Sequence, residues 1–367
     1  MKALDRLQLA ASDLTRALGA VVGLARRERP DPAAPDRVVR LRALARETPL
    51  ILQIETVNAC NARCVFCANG TMARKKGVMS SELFAKVVAS HARMGGGPVS
   101  LTPVSGDALL DPHLLERIDV LDATDAVTQV SLTTNAIALD RYPDAEVLRL
   151  LEVLDCIQVS VGGLDAETYA SLYQVERFPA VRAAMDRLLD LNEAAARPAR
   201  ITFAFRTNDR RFERRFRREL DAFRRRGAFV SHIWEYANFA GRVDGDERRG
   251  LVVLQGGAGP RPQAPCLYGC VSMAICWDGR ITACGCTDVE ADQLPIGHAD
   301  VDDLGQVWSG PRRHALFDSF GRGAPPAICR SCSAYLPDAD VFSKAYFAGH
   351  EAHRPLPIEF FHQYWGG

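Results

Sequence analysis

Between residues 50 and 236, short apolar runs alternate with stretches whose apolar residues recur every three or four positions. The runs are "LILQIETV" (50–57), "PVSLTPV" (98–104), "VTQVSLTT" (127–134), "LDCIQVSV" (154–161), "ARITFAF" (199–205) and "AFVSHIWEY" (228–236). Their length and β-branched content predict strands, and the segments between them predict helices. Ser80 or Ser81 is placed to cap the first helix, and Asp111 followed by Pro112 opens the second. Six strands alternating with helices require right-handed crossovers, and so a parallel sheet buried on both faces. Nearly continuous Val, Ile and Leu in several strands agrees with that burial. The expected fold class is α/β, with six units forming an open, partial (β/α)6 TIM-like barrel rather than a closed eight-fold one. Ligands of such sheets sit at the carboxyl ends of the strands.

The pattern changes at both ends. Leu4, Leu7, Ala11, Leu14, Leu18 and Val21 make an amphipathic N-terminal helix, ended by a Pro-rich linker. Near residue 240, "GRVDGDERRGLVVLQGGAGPRPQAP" reads as a second boundary, and a shorter, loop-rich region follows. The expected organisation is a helix and linker over 1–48, a barrel core over 49–240, a linker over 241–262, a cysteine-rich domain over 263–340 and a tail over 341–367.

Composition narrows the function. The chain has 367 residues, 47% of them hydrophobic and 25% charged, which supplies an ordinary globular core. Lys plus Arg balances Asp plus Glu at 45 each, so net charge points to no nucleic acid. "RTNDRRFERRFRRELDAFRRRG" is locally basic, but Phe212, Phe216, Leu220 and Phe223 fall at helical spacing within it, so its arginines read as the wet face of a helix. No run approaches the roughly 18 apolar residues of a membrane span, and charges at Asp5, Arg6, Asp13 and Arg16 exclude a signal peptide. The expected compartment is the cytoplasm, where eleven cysteines read as metal ligands rather than disulfides.

Three of those cysteines, Cys60, Cys64 and Cys67, fall within "TVNACNARCVFCANG" (56–70), directly after the first strand. A structural zinc site wants four ligands, usually in paired knuckles, and no histidine lies close by. Three thiolates on an iron–sulfur cubane leave one iron open for a small molecule, which suits a catalytic cluster better than an electron carrier.

The spacing C-x3-C-x2-C, with aromatic Phe66 before the last cysteine, resembles the signature of the radical SAM superfamily. That resemblance implies a 4Fe-4S cluster that binds S-adenosylmethionine (SAM) and, on receiving an electron, releases a 5′-deoxyadenosyl radical. "VSGDALLDP" occupies the place of the superfamily's Gly-Gly-Glu-Pro segment, although Ser105, Asp107 and Ala108 replace Gly, Glu and Pro. Ser105, Gly106 and Asp107 would then face the methionine amino group through their backbone. Thr134 in "SLTTNA" and Ser160 in "VSVGG" would bind the SAM carboxylate or ribose, and "GLDAETYASLY" also looks like this superfamily. Read alone, either hydroxyl is an ordinary strand-end cap.

Seven cysteines follow residue 263. Cys266, Gly279 and Cys284 read C-x12-G-x4-C, which resembles the opening of the iron–sulfur extension called SPASM in its long form and twitch in its short one. "IGHADVDDLGQVW", with Gly297 and Trp308, resembles the stretch before its closing cysteines. No cysteine follows Cys332, so Cys266, Cys284, Cys329 and Cys332 form the four-thiolate auxiliary site that the short form implies. A zinc ribbon is the rival reading. Cys270, Cys276 and Cys286 are surplus: each is a buried thiol, a replacement ligand or a hydrogen donor. Cys156 lies within a strand and reads as core.

The resemblance extends to short-form enzymes that dehydrogenate aminocyclitols such as 2-deoxy-scyllo-inosamine in antibiotic biosynthesis. It implies hydrogen abstraction from a substrate carbon, loss of a hydroxyl proton and electron transfer to the auxiliary cluster, giving a ketone. The expected activity is a radical SAM oxidoreductase acting on an aminocyclitol or sugar in preference to a peptide. Flavodoxin or ferredoxin would supply the electron. Arg242, at the mouth of the barrel, is the candidate for contacting the substrate oxygen. The alternatives are an epimerase with a cysteine hydrogen donor, a peptide-modifying maturase, and a non-enzymatic iron–sulfur or zinc protein.

Overall fold

The computed structural model describes residues 45–102, 104–233, 235–243, 252–253 and 264–335. The helix and linker expected before residue 45 and the tail over 341–367 lie outside the described residues. Six strands form as the apolar runs predict: β1 (Ile51–Ile54), β2 (Gly97–Ser100), β3 (Val127–Thr134), β4 (Cys156–Val161), β5 (Arg200–Arg206) and β6 (Phe229–Ile233). They pair in sequence order, all parallel. In β4 the successive residues Ile157, Gln158 and Val159 are 1%, 5% and 0% exposed. Neighbouring strand residues point to opposite faces, so both faces of the sheet are covered.

Helix starts follow local capping. The Ser80 hydroxyl accepts from the Leu83 amide at 3.1 Å and opens helix Ser81–Arg93. Asp165 does the same for Thr168 at 2.8 Å, opening Ala166–Tyr173. The expected Asp111–Pro112 start is displaced: the second helix is Leu114–Asp122, and Asp111 instead accepts from the His113 amide and pairs with buried Arg117 at 2.6 Å. The arginine-rich stretch breaks at Phe216 into Phe212–Arg215 and Arg217–Arg225. Phe212, Leu220 and Phe223 are buried beneath it. Each such burial contributes about 1.5–3 kcal/mol, which accounts for the apolar spacing within the basic stretch.

The cysteine-rich region does not form a detached module. Two short strands, β7 (Glu235–Tyr236) and β8 (Val252–Val253), pair beside the barrel, and β8 falls where only a linker was expected. Then β9 (Ser272–Ile275) adds parallel to the free edge of β1, followed antiparallel by β10 (Arg280–Thr282) and β11 (Pro295–His298). One nine-stranded sheet results, in the order β11-β10-β9-β1-β2-β3-β4-β5-β6. Gly279 turns the β9–β10 hairpin at φ +90°, and a Cβ there would lie 2.7 Å from the His298 ring. No helix among the described residues is long and apolar enough to cross a membrane.

Candidate functional site

The three-cysteine loop leaves the carboxyl end of β1 and is fastened on several sides. The Arg63 and Val65 amides donate to the carbonyls of Tyr173 and Leu172, both at 3.0 Å. The Cys67 amide donates to the Cys64 carbonyl at 3.1 Å, and the Cys67 sulfur accepts from the Asn69 amide at 3.4 Å. Phe66 is buried, stacked on Tyr236 at 4.4 Å and edge-on to Tyr173 at 5.6 Å, so the aromatic of the signature anchors the loop by packing. Burial, aided by the Asp107 carboxylate, pushes the Cys60 thiol up to about 12. Burial raises Cys64 and Cys67 as well, and the neighbouring thiols raise Cys64 further. Three desolvated thiols crowded on one loop become stable thiolates only beside a cationic group, which a cluster's irons provide.

The segment 105–107 crosses directly over this loop. The Asp107 amide donates to the Ala59 carbonyl at 2.8 Å. Gly106 has φ +132°, and a Cβ there would approach the Val57 carbonyl to 2.7 Å, so only glycine fits. Ser105 accepts from Asn69 at 2.7 Å. The Asp107 carboxylate turns away, accepting from the Thr134 hydroxyl and the Leu109 and Asn135 amides. Thr134 thus gives its proton to Asp107 while accepting from the Ala136 amide, which leaves its hydroxyl as a link in this turn.

Ser160, at the end of β4, has a different environment. Its hydroxyl contacts the Tyr173 hydroxyl at 2.7 Å and the Arg206 Nε, and Arg206 also donates to the Tyr236 hydroxyl at 2.9 Å. The guanidinium lies over the Phe66 ring at 5.4 Å, directly behind the cysteines. No carboxylate pairs with Arg206 among the described residues. Burial pushes both phenols well up, so they remain protonated beside it. A half-buried cation held by hydroxyls near Cys64 and Cys67 has the chemistry to hold an anionic group.

At the end of β1, buried Glu55 receives Arg74 through two bonds of 2.6 and 2.8 Å. Glu290 of the cysteine-rich region accepts from the Ala73 and Arg74 amides at 2.9 and 2.8 Å. Arg242 donates to Glu290 at 2.7 Å, with its side chain 34% exposed. Arg242, the residue expected at a substrate oxygen, is thus ion-paired to the cysteine-rich region. Cys276 is fully buried near Glu55 and Arg74, and Cys270 is half-buried near Arg313.

The four predicted tail ligands do come together. Cys266, Cys284, Cys329 and Cys332 line one cavity, together with Tyr268 and Phe317. The Thr287 amide donates to the Cys284 sulfur at 3.5 Å and its hydroxyl contacts the Cys332 sulfur at 3.3 Å. Asn238, just past β7, bonds to Ser331 and Ser333 on either side of Cys332, so the closing cysteines are hooked to the barrel. Among the described residues no three ligand-type side chains converge on a single-ion position.

Sequence reading missed Arg206, Tyr236 and the Glu55–Arg74–Glu290 chain. A polar residue at the carboxyl end of a barrel strand is the signal that marks Arg206.

Comparison with known proteins agrees with these two thiol sites. Residues 54–192 match the family model described as the radical SAM superfamily, and residues 266–333 match SPASM, described as an iron–sulfur cluster-binding domain. The chain therefore carries a radical SAM domain, which takes a 4Fe-4S cluster and SAM, joined to a domain that takes further iron–sulfur. Residues of the core are 33% identical over 139 residues to a GTP 3′,8-cyclase of Chlorobaculum tepidum, covering 38% of this chain and 40% of that protein. A second GTP 3′,8-cyclase, from Mannheimia succiniciproducens, is 25% identical over 143 residues, covering 38% of this chain and 41% of that one. The chain thus spans about two fifths of the length of these curated relatives. Among solved structures, BtrN in complex with AdoMet and 2-DOIA aligns at TM-score 0.52 and 13% identity, covering 77% of this chain and 92% of that one. Streptococcus suis SuiB bound to precursor peptide SuiA aligns at 0.56 and 14% identity, covering 82% and 75%. At these identities the likeness is one of fold.

Proposed function

We propose, on the premise that the chain joins a radical SAM domain to an iron–sulfur domain, that it is a cytoplasmic radical SAM oxidoreductase. Its substrate in this reading is an aminocyclitol or related sugar-like alcohol, and its product the ketone. Cys60, Cys64 and Cys67 would hold the cluster that binds SAM, and Cys266, Cys284 and Cys332, with a fourth thiol, a second cluster. When bound, the first cluster and SAM supply a 5′-deoxyadenosyl radical able to take a hydrogen atom from a C–H bond. The chain's own residues then bind and exclude water. Arg206, steadied by Ser160 and Tyr236, would grip the SAM carboxylate, and the backbone at Ser105 and Gly106 would approach the amino group.

The observation that carries the oxidative outcome is the complete ring of tail thiols, sufficient to saturate a four-iron cluster and leave it an electron acceptor. A cluster held by these thiols would supply the electron acceptor for an alcohol that gives up one hydrogen atom and one proton on its way to the ketone. The epimerase alternative needs a thiol that can return hydrogen. Cys276 is fully buried beside an ion pair, which disfavours that role. The fold alignment to BtrN is compatible with an aminocyclitol, and the one to SuiB with a peptide.

The test is incubation of the reconstituted, reduced protein with aminocyclitols, pseudosugars and peptides in deuterium oxide. The expected product is lighter than its substrate by about 2 Da, carries no deuterium at the reacting carbon and costs one SAM per turnover. An isomeric product with deuterium fixed at that carbon would establish the epimerase instead.

A further inference from the structure

The tail cavity is walled by more thiols than one cluster uses. Cys286 lines it together with Cys266, Cys284, Cys329 and Cys332, whereas a four-iron cluster with a full set of protein ligands takes four cysteines. Cys286 is held firmly there. Gly285, between Cys284 and Cys286, lies so close to the sheet that a Cβ would come 1.7 Å from Gln53 Oε1 and 3.2 Å from the Ala274 Cβ. The turn carrying both thiols is thereby pinned against β1 and β9. Cys329 has the opposite support: it sits on the five-residue helix Ala327–Ser331, none of whose residues is buried.

Both cysteines share that cavity with Cys266, Cys284 and Cys332. The last three can serve as a common base, and Cys286 and Cys329 each offer a fourth ligand.

We infer that the tail cluster sits on Cys266, Cys284 and Cys332, with Cys286 and Cys329 as interchangeable fourth ligands. The exchange moves one Fe–S bond from one thiolate to the other, so neither electrons nor net charge change. Its consequence is that the Fe–S bond to Cys329 can break without leaving an iron open. This inference rests on the reading of the tail as an iron–sulfur site.

Iron content of the full chain tests it, with the barrel loop intact and the protein desalted after anaerobic reconstitution. Wild type should hold about eight irons in two four-iron clusters. Cys286→Ala and Cys329→Ala should each keep about eight, while the double variant, left with three tail thiols and one open iron, should fall to about four in a chelator that leaves both single variants at about eight. Continued SAM cleavage by the double variant shows that its barrel is folded. If Cys329→Ala alone fell to about four irons and Cys286→Ala did not, Cys286 would be no ligand. If the double variant kept all its iron, an outside ligand would be filling the position and the inference would fail. A wild type with about four irons would overturn the tail-cluster reading itself, and this inference with it.

Discussion

Arg206 is held by two hydroxyls and two aromatic faces and by no acid among the described residues, an arrangement that makes sense around an anionic guest. Replacing it with alanine should weaken SAM binding about tenfold or more, because a charge-assisted contact is lost. Equilibrium dialysis on reconstituted protein would measure this, with cluster iron unchanged. Lysine should rescue poorly, since it cannot reproduce the planar fork. Unaltered SAM affinity in Arg206→Ala would remove the residue from the site. The two partners differed in legibility. Ser160 stood out through its sequence neighbourhood. Arg206 did not, because the apolar run "ARITFAF" ends at Phe205 and the strand continues one residue further. Arg242 was chosen for its place near the barrel mouth, but ion pairing with Glu290 cannot be read from position along the chain.

At the scale of elements, strands and helices were largely legible because several parallel strands are apolar runs and the helices opening at Ser81 and Ala166 carry capping side chains. What could not be read was which elements meet. The β9 segment "SMAI" is a four-residue run like many others, and nothing in it announces that it extends the sheet from β1. That junction is stabilised by Glu55 and Arg74, whose side chains are 0% and 2% exposed. Arg74→Ala would leave a buried carboxylate without its partner and should cost about 3–5 kcal/mol, read from denaturant unfolding of the full chain. A loss below about 1 kcal/mol would mean that Glu55 is protonated or hydrated in the folded protein. Asn238→Ala should act locally. It removes the side-chain bonds to Ser331 and Ser333, so a chelator should strip the tail iron faster while the loop cluster persists. Equal stripping rates in variant and wild type would show that Asn238 does not secure the closing cysteines.

For the molecule as a whole, one sheet carries both thiol sites: the barrel loop follows β1, and β9 to β11 extend that same strand's other side toward the tail cavity. In the proposed oxidation, the radical site in the barrel and the acceptor in the tail would be held on one sheet. The central claim is that the loop of Cys60, Cys64 and Cys67 makes the radical. The direct measurement is 5′-deoxyadenosine release from SAM by anaerobically reconstituted, reduced protein, compared between wild type and the variant with all three cysteines changed to alanine. Wild type should release it and hold about eight irons, and the triple variant should release none and hold about four. Release of 5′-deoxyadenosine by a triple variant that lacks the loop's iron would contradict the account.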